Sequence, residues 1–410
     1  MPTFIDNSAN LLSNINQDER KVDMAPAIAM KAPRIAPLML IAQRPTIPYG
    51  ISEKGAKTVK FNTRTVINYE YKWLEDEVRT RSSQVNGTTF DTNSIQITVD
   101  DASIFQIGDL VDVVTTGEIL RVNSSDTTND IISVTRSWGS TAAGALADNS
   151  VLLVVGNVNA ENARAREASD VITTTKVNYI QTTRHPFAGS HATERSELYG
   201  GNQRSYKRKK FFLEHLLDVE ASCWFSEGNE GSEFNGSGIE YSTKGLLELL
   251  TENVTAAGGT LSKSTWHTWL KSIFTYGSDE KFIFASPTVA NAVSNFAGND
   301  ASAPKSSIYV QNLANVFGVN IFTYVSKFGT VHIIMHGMLS ANTAAVYDGY
   351  AVAVDPEHLQ MVHVRGGDKF TMYTDIQESD RAGWKDEYRT DFGIQYDTIS
   401  TGGVLTGVTG

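Results

Sequence analysis

Four groupings in this chain have the residue types and spacing that chemistry could use. Asp391–Phe392–Gly393 has the order of the kinase magnesium motif, but no glycine-rich phosphate loop, His-Arg-Asp element or strand lysine precedes it. His332 and His336 stand four apart in VHIIMH, on one face of a strand, and a metal there would still need a third ligand. His358 and His363 fall on opposite faces of another strand. All four read as core or surface histidines. Glu75, Asp76 and Glu77 are consecutive, so their side chains diverge and cannot serve one acid–base pocket; a solvated or partner-facing acidic edge fits them better. No phosphate loop, dinucleotide fingerprint or nucleophile elbow is present. The residues therefore predict no enzyme, no cofactor and no metal site.

The fourth grouping is a charged helix. In SYKRKKFFLEHLLDVEASCWF, Ser205 to Phe225, positive charge fills the first half and negative charge the second. Arg204, Lys207, Arg208, Lys209 and Lys210 sit where the helix dipole disfavours cations, by roughly 0.3–1 kcal/mol each when exposed. Glu214, Asp218 and Glu220 lie toward the opposite, equally unfavourable end. Three readings stay open: a solvated outer face, a phosphate contact, or a protein partner that presents carboxylates. Asn202 after Gly200–Gly201 marks the helix start, and Gly228 its end. Phe212, Leu216, Val219 and Cys223 recur at helical spacing, so one face is buried; Leu213, Leu217 and Trp224 widen it toward more than one neighbour.

The rest of the chain sets the frame. Its 410 residues carry 35 Lys and Arg against 46 Asp and Glu, a net charge of −11, which argues against a surface that grips a phosphate backbone everywhere. One cysteine excludes an internal disulfide and a Cys-based zinc site. The opening residues lack a basic stretch followed by an apolar core, and no apolar run reaches the ~20 residues of a spanning helix, so a soluble intracellular product without membrane contact is expected.

Residues 1–50 are rich in Pro and Ala yet carry Ile35, Leu38, Met39, Leu40 and Ile41, an apolar arm that needs a surface to lie on. SIQITVDD alternates with a strand period; DLVDVVTTGEILRV reads as a hairpin turning near Thr116–Gly117; DIISVTR and SVLLVV add two strands. From Ser82 to Val155 the only basic residues are Arg121 and Arg136, so this is a small acidic all-β insert whose ends must lie close together. Residues 240–345 mix helical and strand patterns with a core of their own, and the tail returns to extended strands.

The order of these parts resembles the major capsid protein of tailed bacteriophages, with the Hong Kong 97-like fold. The likeness is carried by KWLEDEVRTRSSQ, ITVDDASIFQIGDLVDVV, ISVTRSWGSTAA, NYIQTTRHPFAGS, the segment from Glu197 to Gly228, and WKDEYRTDFGI. It implies an α+β capsid fold: N-terminal arm (1–50), extended β loop (51–190) with the insert at about 82–155, peripheral domain with a long spine helix (191–239), mixed α/β axial domain (240–345), and C-terminal strands (346–410) returning to the peripheral domain. It also implies a small-residue turn where this chain has HPFAGS.

The resemblance further implies a structural protein of the virion, assembled in the host bacterial cytoplasm. Hexamers and pentamers of this one chain would close an icosahedral shell around double-stranded DNA, touched weakly and non-specifically. A portal, and separate scaffolding or decoration proteins, are the other implied partners. An encapsulin-type compartment shell and a β-rich adhesin or fibre protein are the alternatives. The charged helix then becomes an inter-subunit contact, with Lys207, Arg208, Lys209 and Lys210 facing Glu75, Asp76 and Glu77 of a neighbour.

Overall fold

The computed structural model describes residues 37–38, 47–52, 55–59, 62–162, 164, 166, 171–195, 202–233, 238–298, 311–316, 319–340, 345–380 and 382–409. Most of the apolar arm lies outside them. The fold is mixed, with few helices and many strands. Residues up to Trp73 together with Val177–Gly410 form one unit, and Leu74–Lys176 a second. The chain leaves on strand Glu70–Glu75 and returns on Thr174–Tyr179, and the two strands pair.

In the second unit, alternation decides which side chains turn inward. Asp109–Val113, Glu118–Asp126 and Ile131–Thr135 each bury every other residue at least through their first turns of the pleat. All neighbours in the six-stranded sheet run antiparallel, and the chain's entry at Ser82–Gln84 lies against its exit at Val151–Leu153. The sheet also closes. Val85 bridges Val99, Asn86 N–H donates to the Thr98 carbonyl (2.9 Å), and Asp100 N–H donates to that of Gln84 (2.9 Å). Closure leaves a barrel without free edges, filled by Val85, Ile97, Val99, Val111, Leu120, Ile132, Leu152 and their neighbours.

The first unit is built on two sheets. A seven-stranded mixed sheet has Glu280–Ala285 near its middle, parallel to Thr330–Met335 and antiparallel to Ala351–Val354. Ile283 and Ala285 pack on one side with helices Lys263–Ile273 and Pro287–Gly298; Phe282 and Phe284 face the other side, toward the long helix. The second sheet orders Gln181–Gly189, Trp384–Tyr396, Leu359–Val364 and Asn62–Val66, with Thr371–Tyr373 pairing at its flank. Strands from 346–410 thus divide between the two sheets: Ala351–Val354 and Gly403–Thr409 join the seven-stranded one.

HPFAGS forms no turn. It continues strand Gln181–Gly189, and Phe187 is buried against Phe211 and Trp384. Gly189 is needed there because a Cβ would meet the Trp384 ring at 2.5 Å. His358 is likewise not on a strand; it precedes Leu359–Val364.

Candidate functional site

The long helix runs Gln203–Phe225. Asn202 caps it by accepting a hydrogen bond from Ser205 N–H (3.1 Å). It stops at a Ser226 cap, two residues before the glycine mark, because the chain turns extended there. Leu216, Val219, Cys223 and Trp224 clamp both sheets into one core. Burial pushes the Cys223 thiol far up, so it is an inert packing group.

The basic start of this helix is largely answered inside its own chain. Asp386, fully buried on strand Trp384–Tyr396, accepts from Arg204 Nε (3.1 Å) and Nη2 (2.7 Å), from Arg208 Nε (3.0 Å) and from Asp375 N–H (3.1 Å). Burial would raise the Asp386 carboxyl, but these donors outweigh it and hold its pKa below the usual range. Arg204 Nη2 also donates to Asp375 (2.7 Å). Lys207 donates to the Ala188 carbonyl (2.8 Å) and lies 5.5 Å from the Trp384 ring centre. Lys210 approaches Glu214 at 3.7 Å, one turn on. Lys209 is exposed and has no hydrogen bond or ion pair among the described residues. Of the four cations assigned to a subunit boundary, Lys209 and Lys210 therefore remain available, and Arg208 is held by Asp386. Asp375 and Asp386 were missed by sequence reasoning because they lie more than 170 positions away, and nothing local marks them.

The other expected residues fall as follows. Asp76 and Glu77 are exposed and Glu75 half-buried, the first two beyond the end of strand Glu70–Glu75. The Asp-Phe-Gly triplet is structural: Asp391 accepts from Thr182 Oγ1 (2.6 Å) and Asp368 N–H (3.0 Å), and Phe392 is in the core. At Gly393 a Cβ would meet Tyr71 Oη at 2.7 Å. His332 and His336 are buried. His336 Nδ1 accepts from Met338 N–H (3.2 Å), which leaves Nε2–H to donate to Glu220 (2.7 Å). The same Glu220 oxygen accepts from Trp224 Nε1 (3.0 Å) and from Leu38 N–H (3.0 Å), so a residue of the N-terminal stretch is tied to the long helix. Among the described residues no three His, Cys, Asp or Glu stand close enough to hold a metal, and no helix is long and apolar enough to cross a membrane.

The face of the second sheet turned away from the long helix carries a cleft of about 620 Å³. Arg184, Lys385 and Arg389 supply cations, and Pro186, Tyr373 and Ile376 apolar walls. Glu387, nearly buried between them, binds Arg184 through two hydrogen bonds and lies 3.7 Å from Arg389. Those cations hold its pKa low against the opposing effect of burial. Cations, one carboxylate and apolar side chains together give the cleft the composition of a binding surface.

A family model described as the SU10 major capsid protein matches residues 42–409. The chain belongs to this family. Membership in the SU10 major capsid protein family makes it a bacteriophage capsid protein, and it favours that reading over the encapsulin and fibre alternatives. Among solved structures, the chain is similar to the capsid of a native GTA particle: 9% identity, TM-score 0.47, covering 99% of this chain and 100% of that one. The capsid of Myoviridae phage XM1 is similar at 10% identity and TM-score 0.44, with 94% and 96% covered. Mycobacterium phage Bobi gives 7% identity and TM-score 0.46, with 96% and 97% covered. No curated protein matches the chain in sequence.

Proposed function

We propose that this chain assembles with copies of itself, as hexamers and pentamers, into the icosahedral shell of a phage head around double-stranded DNA, and that it does so without enzymatic activity. The family match over residues 42–409 is the observation that carries the reading. In its terms the long helix is the spine helix of the peripheral domain, the barrel is the insert in the extended loop, and residues 1–50 are the arm. Assembly takes place in the host cytoplasm, with a portal and, where used, separate scaffolding or decoration proteins as partners.

Net charge supports weak DNA contact. A shell at −11 per copy does not hold phosphate tightly, so packaged DNA can slide. At the subunit boundary, Lys209 and Lys210 meet Glu75, Asp76 and Glu77 of a neighbour. Reversing Lys209 and Lys210 to Glu, in the absence of DNA, is expected to lower the shell fraction seen by sedimentation. Unchanged assembly with altered DNA retention would assign these lysines to phosphate instead.

A further inference from the structure

The strand pair that follows the long helix has no evident use within its own chain. Strands Asn229–Glu233 and Ile239–Ser242 form a two-stranded sheet to which no third strand is added among the described residues. Such a ribbon is marginal alone in water. Its base is fixed by Tyr241, whose ring stacks near those of Tyr69 (5.7 Å) and Tyr179 (6.1 Å). Its charge has one sign: Glu227, Glu230, Glu233 and Glu240 fall between positions 227 and 242, with no Lys, Arg or His. Ile239 is 61% exposed beside Glu240. An exposed aliphatic side chain on strands whose only charges are carboxylates calls for a surface that is both apolar and cationic.

The cleft on the second sheet has that composition. Tyr373 and Ile376 are each 38% exposed and give the cleft its apolar wall. Lys385 and Arg184 bring more positive charge than Glu387 cancels. Its volume suits a few side chains of an extended segment rather than a whole domain face.

We propose that the acidic paired strands Asn229–Glu233 and Ile239–Ser242 of one copy dock in this cleft of a second copy, Ile239 entering between Tyr373 and Ile376 while Glu240 meets Lys385. Charge complementarity selects the occupant. The N-terminal arm, which carries Lys31, Arg34 and Arg44 and no acid after Asp23, has the wrong sign for this cleft. The proposal rests on the shell reading above and adds a contact separate from that of Lys209 and Lys210.

A charge swap in the full-length chain tests it. Lys385→Glu and Glu240→Lys are each expected to reduce shell yield by about tenfold, and the double variant to restore most of it. In parallel, a photo-cross-linking residue at position 239, in shells mixed from isotopically light and heavy copies, is expected to join light to heavy chains at Tyr373–Arg389. Single variants that assemble like the wild type overturn the proposal. So does failure of the double variant to recover while circular dichroism shows folded chains, or cross-linking confined to one copy or to other positions. If the unmodified chain forms no shell at all, it is the shell reading that fails.

Discussion

At the scale of single residues, the fold uses buried charge sparingly and pairs it when it does. Glu118 and Arg136 form the clearest case. Arg136 Nε and Nη2 donate to the two Glu118 oxygens at 2.8 and 2.7 Å, and Ser137 and Gly144 N–H groups complete the carboxylate's shell at 2.9 and 3.2 Å. Arg136→Met leaves Glu118 buried without its cation. It is expected to destabilise the barrel by about 3–5 kcal/mol in urea unfolding followed by the fluorescence of Trp138. His215 gives the pH response of the helix–sheet contact. It is fully buried, bonded to Thr390 Oγ1 (2.7 Å), and burial together with nearby His185 pushes its pKa down to about 4. The unfolded chain therefore takes up this proton first, near pH 6.5, so stability is lost as pH falls from there toward 4. The melting temperature should drop over that window, and His215→Gln should remove part of the slope.

At the scale of elements, the long helix shows what a sequence carries and what it conceals. Its cap at Asn202 and its buried stripe through Leu216, Val219 and Cys223 were legible, because both depend on residues within a few positions. Asn202→Ala is expected to cost about 1 kcal/mol in thermal unfolding. The strands of the barrel were legible for the same reason, through their period of two. Its closure was not, since the Val85–Val99 bridge joins the first strand to one that local alternation does not rank as its neighbour. The placement of Asp386 under Arg204 and Arg208 was equally hidden. That ion-pair group satisfies within the chain much of a helix start whose charges the sequence left open to solvent, phosphate or a protein partner. The split of the C-terminal strands between two sheets is a third long-range fact of this kind, set by the shared core of Phe284, Val352 and Phe392 rather than by any segment alone.

At the scale of the whole molecule, several features make more sense in many copies than in one. An acidic strand pair with Ile239 in solvent and a cationic cleft are each unfinished in a single chain. A protomer of a closed shell completes such surfaces with its neighbours. The order of segments made this family recognisable from sequence, whereas the cleft was invisible there because its walls come from residues 184–186, 373–376 and 385–389. Electron microscopy of the purified full-length chain tests the central claim most directly. Closed shells or ring-shaped capsomers are the expected result; a persistent monomer at high concentration, confirmed as folded, would contradict it.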